Sequence, residues 1–308
     1  MERIMKIALV FPGQGSQKVG MGADVYSALP NAQRIFDTAD RVLGKSISDI
    51  CFNGPEDVLK DTRNAQPGLF LVSAALIEAL AQKGIRPDVV AGHSLGELTA
   101  YYAAGVLSLE DTLKLIQARS EAMSASYPSE DSAMAAVMKL DLDIIETVLS
   151  DFKETPVVAA NLNCPGQIVI SGTKGGVEAA GKLLSEKGAR LIPLPVSGAF
   201  HSPLMQKGAA QLEAALQTFT FADAQVPIVL NRLATPVTLA GALKENVSLQ
   251  VVSPVRWIDS VQYIASQVDV IIECGAGKVL SGLCKKIVPD FPVYSVSSVD
   301  DIAQLSLS

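Results

Sequence analysis

Gly92-His93-Ser94-Leu95-Gly96 follows the apolar run "DVVA" and leads into "ELTAYYA", so a serine stands on a short turn between a strand and a helix. That context suits a nucleophile: flanking glycines allow a strained turn and close substrate approach, and the helix that starts there offers an unpaired N–H to a developing oxyanion. The same residues also suit a plain helix cap. A serine hydroxyl needs a base, and the chain has only two histidines, His93 and His201. His93 adjoins Ser94 and on a tight turn points away from it. His201, in "SGAFHSPLM", is therefore the candidate base, although a histidine satisfied within a loop is the ordinary alternative.

Arg119 is the second chemical feature. In "LSLEDTLKLIQARSEAM" the residues Leu109, Leu113, Ile116 and Met123 recur at helical spacing and mark one inward face, and Arg119 falls within it. A guanidinium taken out of water requires a carboxylate or phosphate, which its fork can hold through two parallel bonds. An internal Asp or Glu would meet that need, and so would an anionic substrate.

These residues need a frame to hold them. The runs "KIALVF", "DVVAGHS", "VPIVLN", "DVIIEC" and "VYSVSS" alternate with helical segments, which predicts a mainly parallel sheet covered by helices. The stretch 128–197 reads β-α-β-β-α-β, the ferredoxin-like order, with a hairpin at Pro165-Gly166 and a last strand at "RLIPLPVS". The fold class expected is α/β: a large hydrolase-like domain over 1–127 and 198–308, with a ferredoxin-like α+β subdomain inserted at 128–197.

Composition narrows the function. With 308 residues and 49% hydrophobic content the chain can bury a large core, and a net charge of −7 gives no long-range attraction for nucleic acid or an anionic membrane. The apolar stretch "LFLVSAALIEALA" is interrupted by Glu78 and is too short to span a bilayer. Four cysteines without C-x-x-C spacing point to reduced thiols and a cytoplasmic protein, and two histidines leave a zinc site short of ligands. "FPGQGSQ" and "GAGK" lack the spacing of nucleotide-binding loops, so neither calls for a nucleotide cofactor.

Seven motifs, in order, carry a resemblance that covers nearly the full length: "FPGQGSQ" at 11–17, "GHSLGE" at 92–97, "QARSEAM" at 117–123, "ANLNCPGQIVISG" at 160–172, "GAFHSP" at 198–203, "LQVVSPVRW" at 249–257 and "GAGKVLSGL" at 275–283. Together they resemble the malonyl-CoA:acyl carrier protein transacylases of fatty-acid and polyketide synthesis. The resemblance implies a Ser94–His201 dyad whose histidine is oriented by the backbone carbonyl at Gln250, and an oxyanion hole made by the N–H groups of Gln14 and Leu95. It assigns Arg119 to the free carboxylate of a malonyl group and likens Phe200 to a malonyl-selecting position, with Met123 in the same acyl pocket. For Phe200, ordinary core packing is the alternative.

Malonyl-CoA is then a substrate and phosphopantetheine belongs to the carrier, so no cofactor of the enzyme's own is implied. The expected partner is an acyl carrier protein met by a monomer, with Lys182, Lys187, Arg190, Lys285 and Lys286 as candidate contacts. A serine hydrolase sharing Ser94 and His201, and a non-catalytic carrier-binding scaffold, are the rival readings. Asn161, Asn163 and Asn231 lie in or near these motifs without an assigned role.

Overall fold

The computed structural model describes residues 5–196 and 198–307. Its strands are β1 (Ile7–Phe11), β2 (Val89–Gly92), β3 (Ser132–Met138), β4 (Val157–Cys164), β5 (Gln167–Thr173), β6 (Arg190–Pro193), β7 (Ile228–Val229), β8 (Pro236–Val237), β9 (Val270–Cys274) and β10 (Val293–Val296). They form two sheets. The larger has the order β10-β9-β1-β2-β7-β8 and is parallel except for the β7–β8 pair.

Strand β1 occupies the centre because both of its faces are apolar. Leu9 and Phe11 join the larger core under the helix Thr62–Gln82, while Ala8 and Val10 meet Trp257, Val261 and Ile264 on the other side. The chain runs from β1 to β2 on one side and reaches β9 on the other, so a crevice opens beyond the carboxyl ends of the central strands. Pro12-Gly13-Gln14 leaves β1 there, and His93-Ser94 leaves β2.

The second sheet, β4-β5-β3-β6, is antiparallel and carries the helices Leu142–Leu149 and Lys174–Glu186, which is the expected ferredoxin-like arrangement. Alternation along β3 decides its two faces. Ala135 and Val137 pack under those helices, whereas Met134 and Ala136 face the larger core. Val255 N–H donates to Ala160 O at 2.8 Å and Leu162 N–H to Val255 O at 2.9 Å, tying β4 to the segment before Trp257.

Two expectations change. The last subdomain strand ends at Pro193 rather than continuing through "LPVS", because Pro193 and Pro195 have no N–H to extend the ladder; Ser197, at the end of that stretch, lies outside the described residues. The apolar stretch around Glu78 belongs to a 21-residue helix, Thr62–Gln82, long and apolar enough to cross a membrane but 78% buried over its most apolar window. It is the central core helix, so packing rather than shortness explains its composition. All four cysteines are free and buried, and burial pushes the Cys51 and Cys284 thiols up to about 12.

Candidate active site

Ser94 sits between β2 and the helix Gly96–Ala103 with φ of 53°, in the left-handed region that non-glycine residues rarely adopt. The strain is therefore on the serine, and the glycines serve close packing. A Cβ on Gly92 would run into the Gly96 backbone, and one on Gly96 would strike the Phe11 carbonyl. This fit seats the new helix directly against the carboxyl end of β1.

Ser94 Oγ lies 2.7 Å from His201 Nε2. His201 also has a positive φ, 58°, and its Nδ1 faces the carbonyl oxygens of Gln250 and Ser253, each at 3.1 Å. A carbonyl oxygen only accepts, so Nδ1 must carry the proton, leaving Nε2 free to receive that of Ser94. Two backbone dipoles thus fix the tautomer that an acidic residue fixes in a three-member arrangement. The Gln250 carbonyl stands where the sequence reading puts it, and Ser253 adds a second acceptor.

His93 turns away from Ser94. Its Nε2 pairs with Asn163 Oδ1 at 2.8 Å, and its ring meets Trp257 edge-on at 5.6 Å between centroids. The Leu95 and Gln14 N–H groups make no hydrogen bond among the described residues, which leaves both able to donate to a reacting oxygen at the mouth of the crevice.

Arg119 is 1% exposed on the helix Leu109–Ser124. Its Nη2 lies 3.1 Å from Ser94 Oγ and 2.9 Å from Gln250 Oε1, and its Nη1 lies 2.9 Å from Gln66 Oε1. Every one of these partners is neutral. Among the described residues no carboxylate comes within ion-pair distance, so the internal ion pair considered from the sequence is absent and the charge is held by dipoles alone. Burial pushes the guanidinium down to about 10, with the more distant Glu97 opposing. An arriving carboxylate would supply the missing counter-charge.

A cleft of about 80 Å³ lies over these groups, lined by Gln14, Ser94, Leu95 and His201 and walled by Met123, Met134, Asn161, Leu194, Val196 and Phe200. Its size suits a small acyl group, and its apolar walls come from both sheets' surroundings. Phe200 and Met123 thus line the cleft with the serine. The basic candidates Lys182, Lys187, Arg190, Lys285 and Lys286 are all exposed and lie outside this lining.

Several contacting residues are not singled out by the sequence: Gln66 and Ser253 touch the reactive groups directly, and Met134 enters from the second sheet. Of the three asparagines noted without a role, Asn231 bonds to the Ser94 backbone, Asn163 to His93, and Asn161 lines the cleft. Glu97 was visible as a signal, since a carboxylate on the largely apolar helix "GELTAYYA" poses the same question as Arg119.

Electrostatics set a pH expectation. Burial first, then the Arg119 and His93 charges, push His201 from 6.5 down to about 3. A base with a depressed pKa stays neutral as pH falls, so kcat/KM for acylation of Ser94 should remain flat from neutrality down to about pH 5. An acid limb centred at the ordinary imidazole value would contradict this environment.

The chain matches the family model described as acyl transferase domain over residues 8–290. It is 45% identical to a malonyl CoA-acyl carrier protein transacylase of Bacillus subtilis over 301 residues, covering 96% of this chain and 95% of that one. The fold superposes on the acyl carrier protein S-malonyltransferase of Vibrio cholerae with a TM-score of 0.95 at 37% identity, covering 98% and 100% of the two chains. A malonyl-transacylase solved in complex with its type II PKS acyl-carrier protein gives 0.94 at 35% identity, over 97% and 98%. Sequence likeness over nearly the whole length and agreement in fold lead to one assignment: the chain belongs to the malonyl CoA-acyl carrier protein transacylase family of acyl transferases.

Proposed function

We propose that this protein moves a malonyl group from malonyl-CoA to the phosphopantetheine thiol of an acyl carrier protein through a malonyl-serine at Ser94. The observation that carries the reading is the convergence on one oxygen: Ser94 Oγ has His201 Nε2 at 2.7 Å and Arg119 Nη2 at 3.1 Å. A guanidinium that close to the attacking atom suits an acyl group whose free carboxylate is one carbon away from the reacting carbonyl, as in malonyl. A longer dicarboxylic acyl group would have to fold back to use both.

In the first half-reaction His201 Nε2 takes the hydroxyl proton as Ser94 Oγ bonds to the thioester carbon, and the Leu95 and Gln14 amides hold the oxyanion. The C–S bond breaks and the CoA sulfur leaves with the proton from His201. The second half runs in reverse with the carrier's thiol: His201 accepts its proton, sulfur attacks the ester carbon, and Ser94 regains the proton. The apolar walls limit the access of water, whose attack on the same ester would release malonate.

In this reading the acyl group rides on the chain's own serine, so the enzyme requires no cofactor of its own. The site is complete within one chain, so a monomer suffices for this chemistry. The segment 128–197 forms an inserted ferredoxin-like subdomain on a catalytic domain of 1–127 and 198–308. The exposed Lys182, Lys187, Arg190, Lys285 and Lys286 are candidate contacts for an acidic carrier. Four buried free thiols and a net charge of −7 agree with a cytoplasmic enzyme that binds neither nucleic acid nor membrane.

The test is mass spectrometry of the protein mixed with malonyl-CoA alone and then with a phosphopantetheinylated carrier. The expected result is a malonyl-sized addition on the Ser94 peptide that transfers to the carrier. Release of free malonate as the main product would instead identify a hydrolase, and the absence of any addition a scaffold.

A further inference from the structure

Asn231 follows β7 and Leu230, is not itself among the residues lining the cleft, and is fully buried. Its side chain nevertheless holds the serine turn from both sides. Oδ1 accepts from the Ser94 N–H at 2.8 Å and from Gln250 Nε2 at 3.3 Å, and Nδ2 donates to the Gly92 carbonyl at 2.6 Å. Only a carboxamide of this length offers an acceptor to one backbone group and a donor to another two residues away.

Asn231 is itself fixed by a carboxylate. Its N–H donates to Glu97 Oε2 at 2.6 Å, and Glu97 Oε1 accepts from Asn246 Nδ2 at 2.7 Å. Glu97 is 1% exposed and has no cation within ion-pair distance among the described residues. A buried carboxylate in that position is costly, and its two hydrogen bonds are spent on holding these two asparagines rather than on pairing a charge.

We propose that Asn231, anchored by Glu97, is the positioning residue that locks Ser94 in its left-handed conformation and so aims Oγ at His201. The inference rests on the reading of Ser94 as nucleophile given above. Because Asn231 occupies the Ser94 N–H, the first elbow amide left for the reacting carbonyl oxygen is that of Leu95. Without the clip the serine can relax towards an ordinary φ, which swings its hydroxyl away from the imidazole.

The experiment follows Ser94 labelling by an alkyl fluorophosphonate and steady-state transfer from malonyl-CoA, in wild type, Asn231→Ala, Asn231→Asp, Glu97→Ala and Glu97→Gln. Misplacing a nucleophile by an ångström costs about a hundredfold, so Asn231→Ala and Asn231→Asp should lose about that factor in labelling rate and in kcat, with KM for malonyl-CoA little changed because Arg119 is untouched. Glu97→Ala should lose similarly. Glu97→Gln should recover most of it, since its carbonyl can still accept from Asn231 and its amide can donate to Asn246 Oδ1, which has no hydrogen-bond partner among the described residues.

Labelling of Asn231→Asp at the wild-type rate would overturn the proposal, and so would a loss carried by KM alone or a Glu97→Gln variant as impaired as Glu97→Ala. The near-isosteric Asp and Gln variants keep the test decisive if either alanine variant fails to fold. Failure of the wild-type protein to take label on Ser94 would instead remove the nucleophile assignment itself.

Discussion

Ser94→Ala and His201→Ala are each expected to lower kcat/KM for malonyl transfer by on the order of 10⁴-fold or more, with the double variant falling no further. The two side chains work as one unit, because Oγ is a weak nucleophile until Nε2, 2.7 Å away, can take its proton. Removing either leaves the other without a task, so the losses do not add. His201→Ala should still bind malonyl-CoA, since the carboxylate contact lies on Arg119 and the oxyanion contacts lie on backbone amides. Ser253→Ala supplies the contrast: its contact with His201 Nδ1 is through the backbone carbonyl, which the substitution preserves, so activity should stay near that of the parent. Rates with malonyl-CoA and a carrier protein check all four variants. A double variant markedly worse than either single one would mean that serine and histidine act independently.

Different parts of this site were legible in the sequence for different reasons. Ser94 was visible because strand, turn and helix are contiguous, so a dozen residues carry the whole pattern. His201 was found by scarcity, since few imidazoles were available, and the structure brings it to Ser94 across 107 positions. Arg119 stood out as a charge on an apolar face. The amides Gln66 and Asn246 gave no such signal, and Asn231 stood near a motif without a role, because asparagine and glutamine are common in turns and helices and only tertiary convergence distinguishes these from the rest.

The glycines of the turn show where local reasoning ran short. They read as the residues that take the strain, but the positive φ belongs to Ser94 and His201, and Gly92 and Gly96 are there because backbone passes where a Cβ would be. Fold class was easier to read than edges. The inner strands β1, β2 and β9 are buried throughout and mark themselves, whereas β6 is a largely exposed edge strand of four residues whose end depends on two prolines.

The same contrast between local pattern and tertiary setting makes Arg119 the sharpest test of substrate choice. Its guanidinium is buried with only neutral partners, Gln66, Gln250 and Ser94, so the site without substrate carries an uncompensated charge. A malonyl carboxylate resolves this and an acetyl group does not. Arg119→Ala should therefore lower kcat/KM for malonyl-CoA by about 150- to 5,000-fold, the equivalent of the ~3–5 kcal/mol lost when one member of a buried charge pair is removed. Turnover of acetyl-CoA should fall far less, and the preference between the two thioesters should largely vanish. Arg119→Lys should restore little, because an ammonium cannot hold a carboxylate through two parallel bonds while also reaching Gln66 and Gln250. The measurement is the ratio of kcat/KM for the two thioesters in each variant, and an unchanged ratio in Arg119→Ala would place malonyl recognition elsewhere. Arg119→Met carries a further expectation: with a charge that lacks a counter-ion replaced by an apolar chain of similar length, its melting temperature in the absence of substrate should equal or exceed that of the parent even as malonyl transfer is lost.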